Sequence, residues 1–338
     1  MSLVQPAAVT SLLVAWAGVL LRRDRFARPT GTQVTIKFTH VLPAILQVVL
    51  FAYWSIYWPK VIEHLPVLAA QLLIAYAIDF LLAWTLRRPY SPSFGPVPIV
   101  FSANLFVWFL PGDTFLYTLV IAIALSSKAL VHWDGRHIFN PSVLGVAVVG
   151  VLCIVLPRIF HYQDISHDFD RPPHMAQLIL LLALIPQVRL RTTPVAFGAA
   201  LAMIATTLMV YGITGYKGGP TPWWPSWLLA ITLLAGDPST IPSAGASRLL
   251  FGLFLGAAFY IVSRGLLFSV GTDFFAKIIP IPVANLLVPS FERAGAQLSM
   301  RWPSLERKAA NRACVVAWVS MSLLLPIVRH RLEVGRFF

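Results

Sequence analysis

Two short polar stretches interrupt an otherwise apolar chain of 338 residues, and both carry side chains suited to holding an anion or a cofactor. The first runs Trp133-Asp134-Gly135-Arg136-His137-Ile138-Phe139-Asn140-Pro141-Ser142. Asn140 or Ser142 can cap the orphan amides of a helix that starts there, Pro141 suits its first turn, and the positive helix end is then open to an anion. Arg136 and His137 add two donors at the same place, and Lys128 lies a turn or two back on the preceding apolar run. Together they suit a phosphate, the edge of a flavin ring or a quinone carbonyl, although plain capping at a membrane surface accounts for the same residues. The second stretch, Asp237-Pro238-Ser239-Thr240, reads as another helix start, with Arg248 available to pair with Asp237. On a common face the two starts can share a pocket; taken alone, the second is a turn with a capping aspartate.

Asp79 stands in the middle of the apolar run Leu72 to Leu82. An acid inside a membrane span is costly unless paired or hydrated, so it is a candidate for proton or cation handling, or else is buried against Lys128, His40 or a capping amide. His161, His167 and His174 alternate with Asp164, Asp168 and Asp170, ligand types suited to zinc or copper. Their spacing matches no compact motif, and the segment is expected to be a solvated loop that binds no metal. Gly252 and Gly256 permit close helix approach. Trp223, Trp224 and Trp227 read as an interfacial aromatic belt.

The elements that must position these residues are membrane helices. Apolar residues make up 58% of the chain and charged ones 12%, against about 45–50% and about 25% in ordinary soluble domains. Runs of about 20 apolar residues, enough to cross about 30 Å of hydrocarbon, recur throughout. Ten core spans are expected, at 38–58, 66–86, 97–110, 115–131, 142–157, 174–188, 194–212, 223–236, 249–263 and 273–289, with one extra at each end, 5–21 and 312–328. The basic cluster Arg22 to Arg28 follows the first run rather than preceding it, so that run reads as a membrane helix and not a signal peptide.

The net charge of +13 sits in short connections, where it orients a membrane protein and needs no nucleic acid to explain it. Arg22 to Lys37, Arg87 and Arg88, Lys128 to Arg136, Arg189 to Arg191, Arg248, and Arg293 to Arg312 fall on alternate connections, expected in the cytoplasm of a cell whose inner membrane the chain crosses. Connections 59–65, 111–114, 158–173, 213–222 and 264–272 are then external. A tail with Arg329, Arg331 and Arg336 would also be external, so either the last span is re-entrant or a terminal count is off by one. No long Ser/Gly linker or charge block divides the chain, and one bundle over 1–338 is expected, with a core at 38–289 and extensions at 1–37 and 290–338. A five-plus-five repeat is compatible with one polar stretch in each half. Cys153 and Cys314 cannot supply the four thiolates of an iron–sulfur cluster on their own.

Three stretches resemble the flavin-binding membrane subunits of the sodium-translocating NADH:quinone reductase and of the Rnf electron-transport complex. They are Ser127-Lys128-Ala129-Leu130 running into Gly135-Arg136-His137-Ile138-Phe139-Asn140-Pro141-Ser142, Asp237-Pro238-Ser239-Thr240-Ile241-Pro242 leading to Arg248-Leu249-Leu250-Phe251-Gly252, and Ala284-Asn285-Leu286-Leu287-Val288-Pro289. Their order and intervals suit that family over roughly residues 40–290. The resemblance implies a ten-helix bundle that carries flavin and passes electrons to quinone or a partner subunit, coupled to Na⁺ or H⁺ movement. It also implies cofactor contacts at Lys128, Arg136, His137, Asn140, Asp237, Ser239, Thr240 and Arg248. Flavinylated members carry an Asp-x-x-Ser/Thr-Gly-Ala-Thr stretch in an external loop, and residues 162–174 contain no Ser-Gly-Ala-Thr. The family's Gly-Ser-x-Gly-Glu stretch is missing too, so the expected riboflavin or FMN is non-covalent. The sequence is more similar to divergent relatives found with enediyne biosynthesis genes.

Two functions follow as expectations. One is a redox subunit with partners, since the chain has no glycine fingerprint for a nucleotide and would not oxidise NADH unaided. The other is a carrier or exporter of a natural product or small anion that keeps the bundle without the cofactor. A scaffold for assembling other membrane subunits is the plainest reading.

Overall fold

Long apolar runs with few charges become helices because backbone groups in such segments can only be satisfied internally. The computed structural model describes residues 4–23, 34, 36, 38–105, 107–109, 114–157, 162–215, 220–266, 273–302 and 308–334. The expected connections at 111–114, 158–173, 213–222 and 264–272 fall partly outside these residues, as do Arg25, Arg28, Lys37, His161 and Arg336. Two compact units make up the chain, Met1–Pro172 and Pro173–Phe338.

The first unit runs α1 (Val4–Arg23), α2 (Phe38–Tyr57), α3 (Lys60–Glu63), α4 (Leu65–Thr85), α5 (Pro96–Ala103), β1 (Val107–Phe109), α6 (Thr114–Leu130), β2 (His132–Trp133), β3 (Arg136–His137), α7 (Pro141–Val155) and β4 (Tyr162–Asp164). A 3-10 turn, Ser166–Asp170, follows. Helices dominate, as expected; the correction is two small antiparallel pairs, β1 with β4 and β2 with β3.

The second unit runs α8 (Met175–Leu190), α9 (Thr193–Thr214), α10 (Pro225–Leu229), α11 (Gly245–Ile261), α12 (Asp273–Ala276), α13 (Pro280–Leu286), α14 (Val288–Arg301) and α15 (Lys308–Val334). A π-helical turn, Ala230–Leu234, extends α10, and another, Val262–Leu266, extends α11.

Among the described residues, five helices are long and apolar enough to cross a membrane: Gln5–Arg23, His40–Tyr57, Lys60–Thr85, Thr193–Thr214 and Gly245–Gly265. They coincide with the expected spans at 5–21, 38–58, 66–86, 194–212 and 249–263. Shorter apolar helices include Phe115–Leu130, Pro141–Val155, Met175–Leu190, Pro225–Leu234 and Asn311–Leu324. Two expected spans are not continuous helices. The run 97–110 is an eight-residue helix followed by a strand, and 273–289 is two short helices leading into amphipathic α14.

The core of the first unit is aromatic. Trp54 stacks on Phe169 at 4.1 Å, Trp58 on Trp108 at 4.8 Å, and His64 on the same Trp108 at 4.1 Å. This corrects the reading of residues 162–174 as a simple solvated loop. Ile165 and Phe169 are fully buried, Trp54 donates to the Asp168 carbonyl at 3.0 Å, and β4 pairs with β1. His167 and Asp170 of the turn are exposed.

Candidate functional site

Around the first polar stretch, the backbone forms a β-hairpin ahead of a helix. Asp134 and Gly135 lie at φ 48° and 76°, the left-handed pair that closes a two-residue hairpin, and β2 and β3 pair His132 with His137 and Trp133 with Arg136. The hairpin projects exposed Arg136, with His137 half-buried beside it. Asn140 then adopts extended geometry and caps α7: its side-chain oxygen accepts from the Val143 amide at 3.4 Å and from the Ser142 hydroxyl at 3.0 Å. Pro141 fills the first helical position. Asp134 in the turn is the one acid of the hairpin, and none occurs from Gly135 to Gln163, so it is outnumbered here by Arg136, His137 and the helix end. The helix end, the guanidinium and the imidazole therefore make a locally positive surface, and that donor set fits a phosphate or an electron-rich ring edge.

Of the two roles the sequence offers Lys128, beside the first polar stretch or with Asp79 and His40, the contacts favour the second. It sits in the last turn of α6, and its ammonium lies against Gly95 together with Ser93 and His40, where a Cβ on Gly95 would be 3.1 Å from the nitrogen. The Lys128 charge also acts on Asp79 of α4. Tyr76 donates to the Ser93 carbonyl at 2.9 Å. Tyr90, in the connection after α4, is pushed up to about 12 by burial and then by the Asp79 and Tyr76 charges. Asp79, Lys128, His40, Tyr76, Tyr90 and Ser93 thus form one polar cluster at the start of α5, in which the Lys128 charge acts on an acid of α4.

A second polar cluster lies at the other end of α5. Asn104 donates to Gln71 at 2.6 Å and to the Val100 carbonyl at 2.8 Å, and its oxygen meets the His64 ring at 3.0 Å. Gln47 donates to the Ser102 hydroxyl at 2.5 Å. Sequence reasoning passed over these residues, although a Gln or Asn in an apolar run is itself a signal of an internal partner.

Around the second polar stretch, the expectation of a helix start is corrected. Asp237 caps a turn: its carboxylate accepts from the Ser239 amide at 3.0 Å, and its carbonyl accepts from the Thr240 amide at 3.0 Å. The next helix, α11, begins only at Gly245, because Pro242 lies between. Arg248 reaches back to the end of α8, donating to the Arg191 carbonyl at 2.6 Å and Leu190 at 3.2 Å, and also to Pro242 at 2.8 Å. A cation on the last carbonyls of a helix complements its negative end. Thr240 is buried, and its carbonyl accepts from Asn285 at 2.9 Å, which joins the second and third resembling stretches in one place. Arg248, Asp237 and Thr240 are therefore built into backbone contacts, a poorer fit to a phosphate than the hairpin.

Two features of the second unit escaped the sequence reading. Lys277, between α12 and α13, is only 1% exposed, and its ammonium stands 5.1 Å above the Trp227 ring. Trp227 is itself buried and edge-on to Phe259 at 5.5 Å, so it belongs to the core and not to an interfacial belt. The signal was a lone lysine inside a Pro-interrupted apolar run.

Among the described residues no group of three or more His, Cys, Asp or Glu side chains is placed to hold a metal ion. No protein-family model matches this sequence, and no curated protein matches it.

Proposed function

We propose that this chain is a multi-pass subunit of an electron-transport assembly in a cell's inner membrane, binding riboflavin or FMN non-covalently and passing electrons to a quinone or a partner subunit. The observation that carries the reading is the Arg136–His137 hairpin set immediately ahead of the Asn140-capped start of α7, where Asp134 in the turn is the one acid between Trp133 and Gln163. Arg136 and the Ser142 amide, the one first-turn donor of α7 that the Asn140 cap leaves open, hold the phosphate or ribityl side of the flavin, and His137 borders its ring. A flavin supplies the one- and two-electron chemistry; the protein binds it, orients it and sets the local charge. The Asp79–Lys128 cluster handles Na⁺ or H⁺, since an acid inside a span is a functional candidate by default and the Lys128 charge acts on it.

The test is a titration of flavin-free protein with FMN, read by quenching of flavin fluorescence. Loss of one charge-assisted hydrogen bond is worth about 1.5–3 kcal/mol, so Arg136→Ala weakens binding by about tenfold or more. Equal affinity in the folded variant removes Arg136 from the site. A carrier of a small anion or natural product is the second reading, favoured by the interrupted helices α12 and α13 beside buried Lys277. It predicts binding of neither flavin.

A further inference from the structure

In the second unit, α8, the segment leading into α10, and α15 line a cavity of about 250 Å³ that is partly open at exposed Gln177 and Leu323. Its wall includes Gln177, Leu180, Trp223, Leu228, Trp318 and Ser322 and, among the described residues, contains no Asp, Glu, Lys, Arg or His. Two of these residues carry an unmet need. The indole N–H groups of Trp223 and Trp318 are both buried and both without a hydrogen-bond partner. Trp318 is only 1% exposed, so bulk solvent does not satisfy it. A buried donor left unpaired costs about 1–3 kcal/mol, and an indole nitrogen can donate but never accept.

We infer that this cavity binds an uncharged, mostly apolar molecule through its carbonyl oxygen, of the kind an acyl ester carries, with the Trp223 and Trp318 N–H groups as donors. The absence of a charged wall residue disfavours an ion. Gln177 and Ser322 can donate or accept, but the two unpaired indoles can only donate and so require an acceptor on the guest, while the apolar remainder of the wall requires a hydrocarbon body. The volume exceeds several times the share of one water, about 30 Å³, so a single bridging water leaves most of the space empty. An ester carbonyl on a hydrocarbon chain meets all three demands. The inference rests on the second unit alone and does not depend on the flavin reading. The ester can come from a bilayer lipid or from a free carbonyl compound dissolved in the membrane.

The experiment uses the full-length protein in mild detergent and a fatty acid methyl ester carrying an alkyl diazirine. Irradiation is expected to label peptides containing residues 176–180 and 318–323. Unlabelled methyl ester competes, while an alkane of equal length does not. The double substitution Trp223→Phe and Trp318→Phe keeps ring shape, removes both donors and lowers labelling at least about tenfold. In vesicles, competition by ester-linked but not ether-linked phosphatidylcholine assigns the site to a bilayer lipid; competition by neither assigns it to a free carbonyl compound. Equal competition by the alkane overturns the inference without any variant being made. Labelling away from these peptides, or unchanged labelling in the folded double variant, overturns it as well.

Discussion

Gly256 of α11 is where a single methyl group should be felt most. An added Cβ there would press on the Ala199 carbonyl oxygen and lie 2.8 Å from its carbon and 2.9 Å from its Cα. One turn earlier, Gly252 faces Val195 in the same way, and from the other side Gly198 faces α11, where a Cβ would be 2.8 Å from the Leu249 oxygen and 3.1 Å from the Leu253 nitrogen. The clashing atoms are helix backbone, which cannot swing aside as a side chain can. Non-bonded heavy atoms settle near 3.5 Å or beyond, so the Ala199 carbon alone demands that α9 and α11 part by about 0.7 Å, and its nearer oxygen demands roughly 1 Å or more. Overpacking of this kind costs about 1–3 kcal/mol, and better helix propensity returns at most about 1 kcal/mol. A net loss of about 1–2 kcal/mol changes the folded-to-unfolded ratio by roughly five- to thirtyfold. Gly212, on α9, is the control, because nothing lies within 4 Å of the position its Cβ would take. Thermal unfolding in mild detergent, followed by circular dichroism, should show Gly256→Ala melting several degrees below the parent and Gly212→Ala melting at or above it. Equal melting of Gly256→Ala and the parent would refute the close approach of the two helices.

Other residues give further expectations. Asn140→Ala removes the cap of α7 and should cost about 1 kcal/mol in the same unfolding assay, with Asn140→Asp losing much less; equal losses would show that the side-chain oxygen does not cap. Asp79→Asn and Lys128→Met should each destabilise, while the double variant loses less than their sum by at least about 0.5 kcal/mol, and strict additivity would separate the two residues. Tyr162 lies outside the spans, and its phenol is pushed up to about 12 by burial, then by Asp164 and Cys153. Its folded value exceeds the ordinary 10.0, so its contribution to stability is complete below pH 10.0 and is lost as pH rises toward 12. Ultraviolet titration of the phenols should show one late-ionising tyrosine fewer in Tyr162→Phe, and an unchanged curve would contradict the burial.

Local chemistry explains what the sequence revealed. Asn140-Pro141-Ser142 names a helix start because capping is a contact between neighbours, and the longest apolar runs name helices because no partner is needed to satisfy their backbones. The failures share a tertiary cause. Residues 97–110 are apolar enough to suggest a span, yet β1 within them pairs with β4, more than fifty residues away, at Val107 with Asp164. Phe169 sits in a polar-looking segment and is buried only because Trp54 stacks on it. Asp237 has the composition of a cap, but Pro242 delays the helix, and that proline was visible. The Asp134-Gly135 hairpin was visible as well, in the most reliable short signal for a two-residue turn. Lys128 was among the partners the sequence offered Asp79, and the packing of α4 against α6, which spacing does not encode, is what brings its charge to bear on that acid.

The absorption spectrum of the purified protein, taken before and after acid precipitation, tests the central proposal most directly. A flavin band that moves into the supernatant on precipitation is the predicted result, because the cofactor is held without a covalent bond. A colourless protein, reproducibly folded and purified with riboflavin and FMN present, would contradict it and leave the carrier reading in its place.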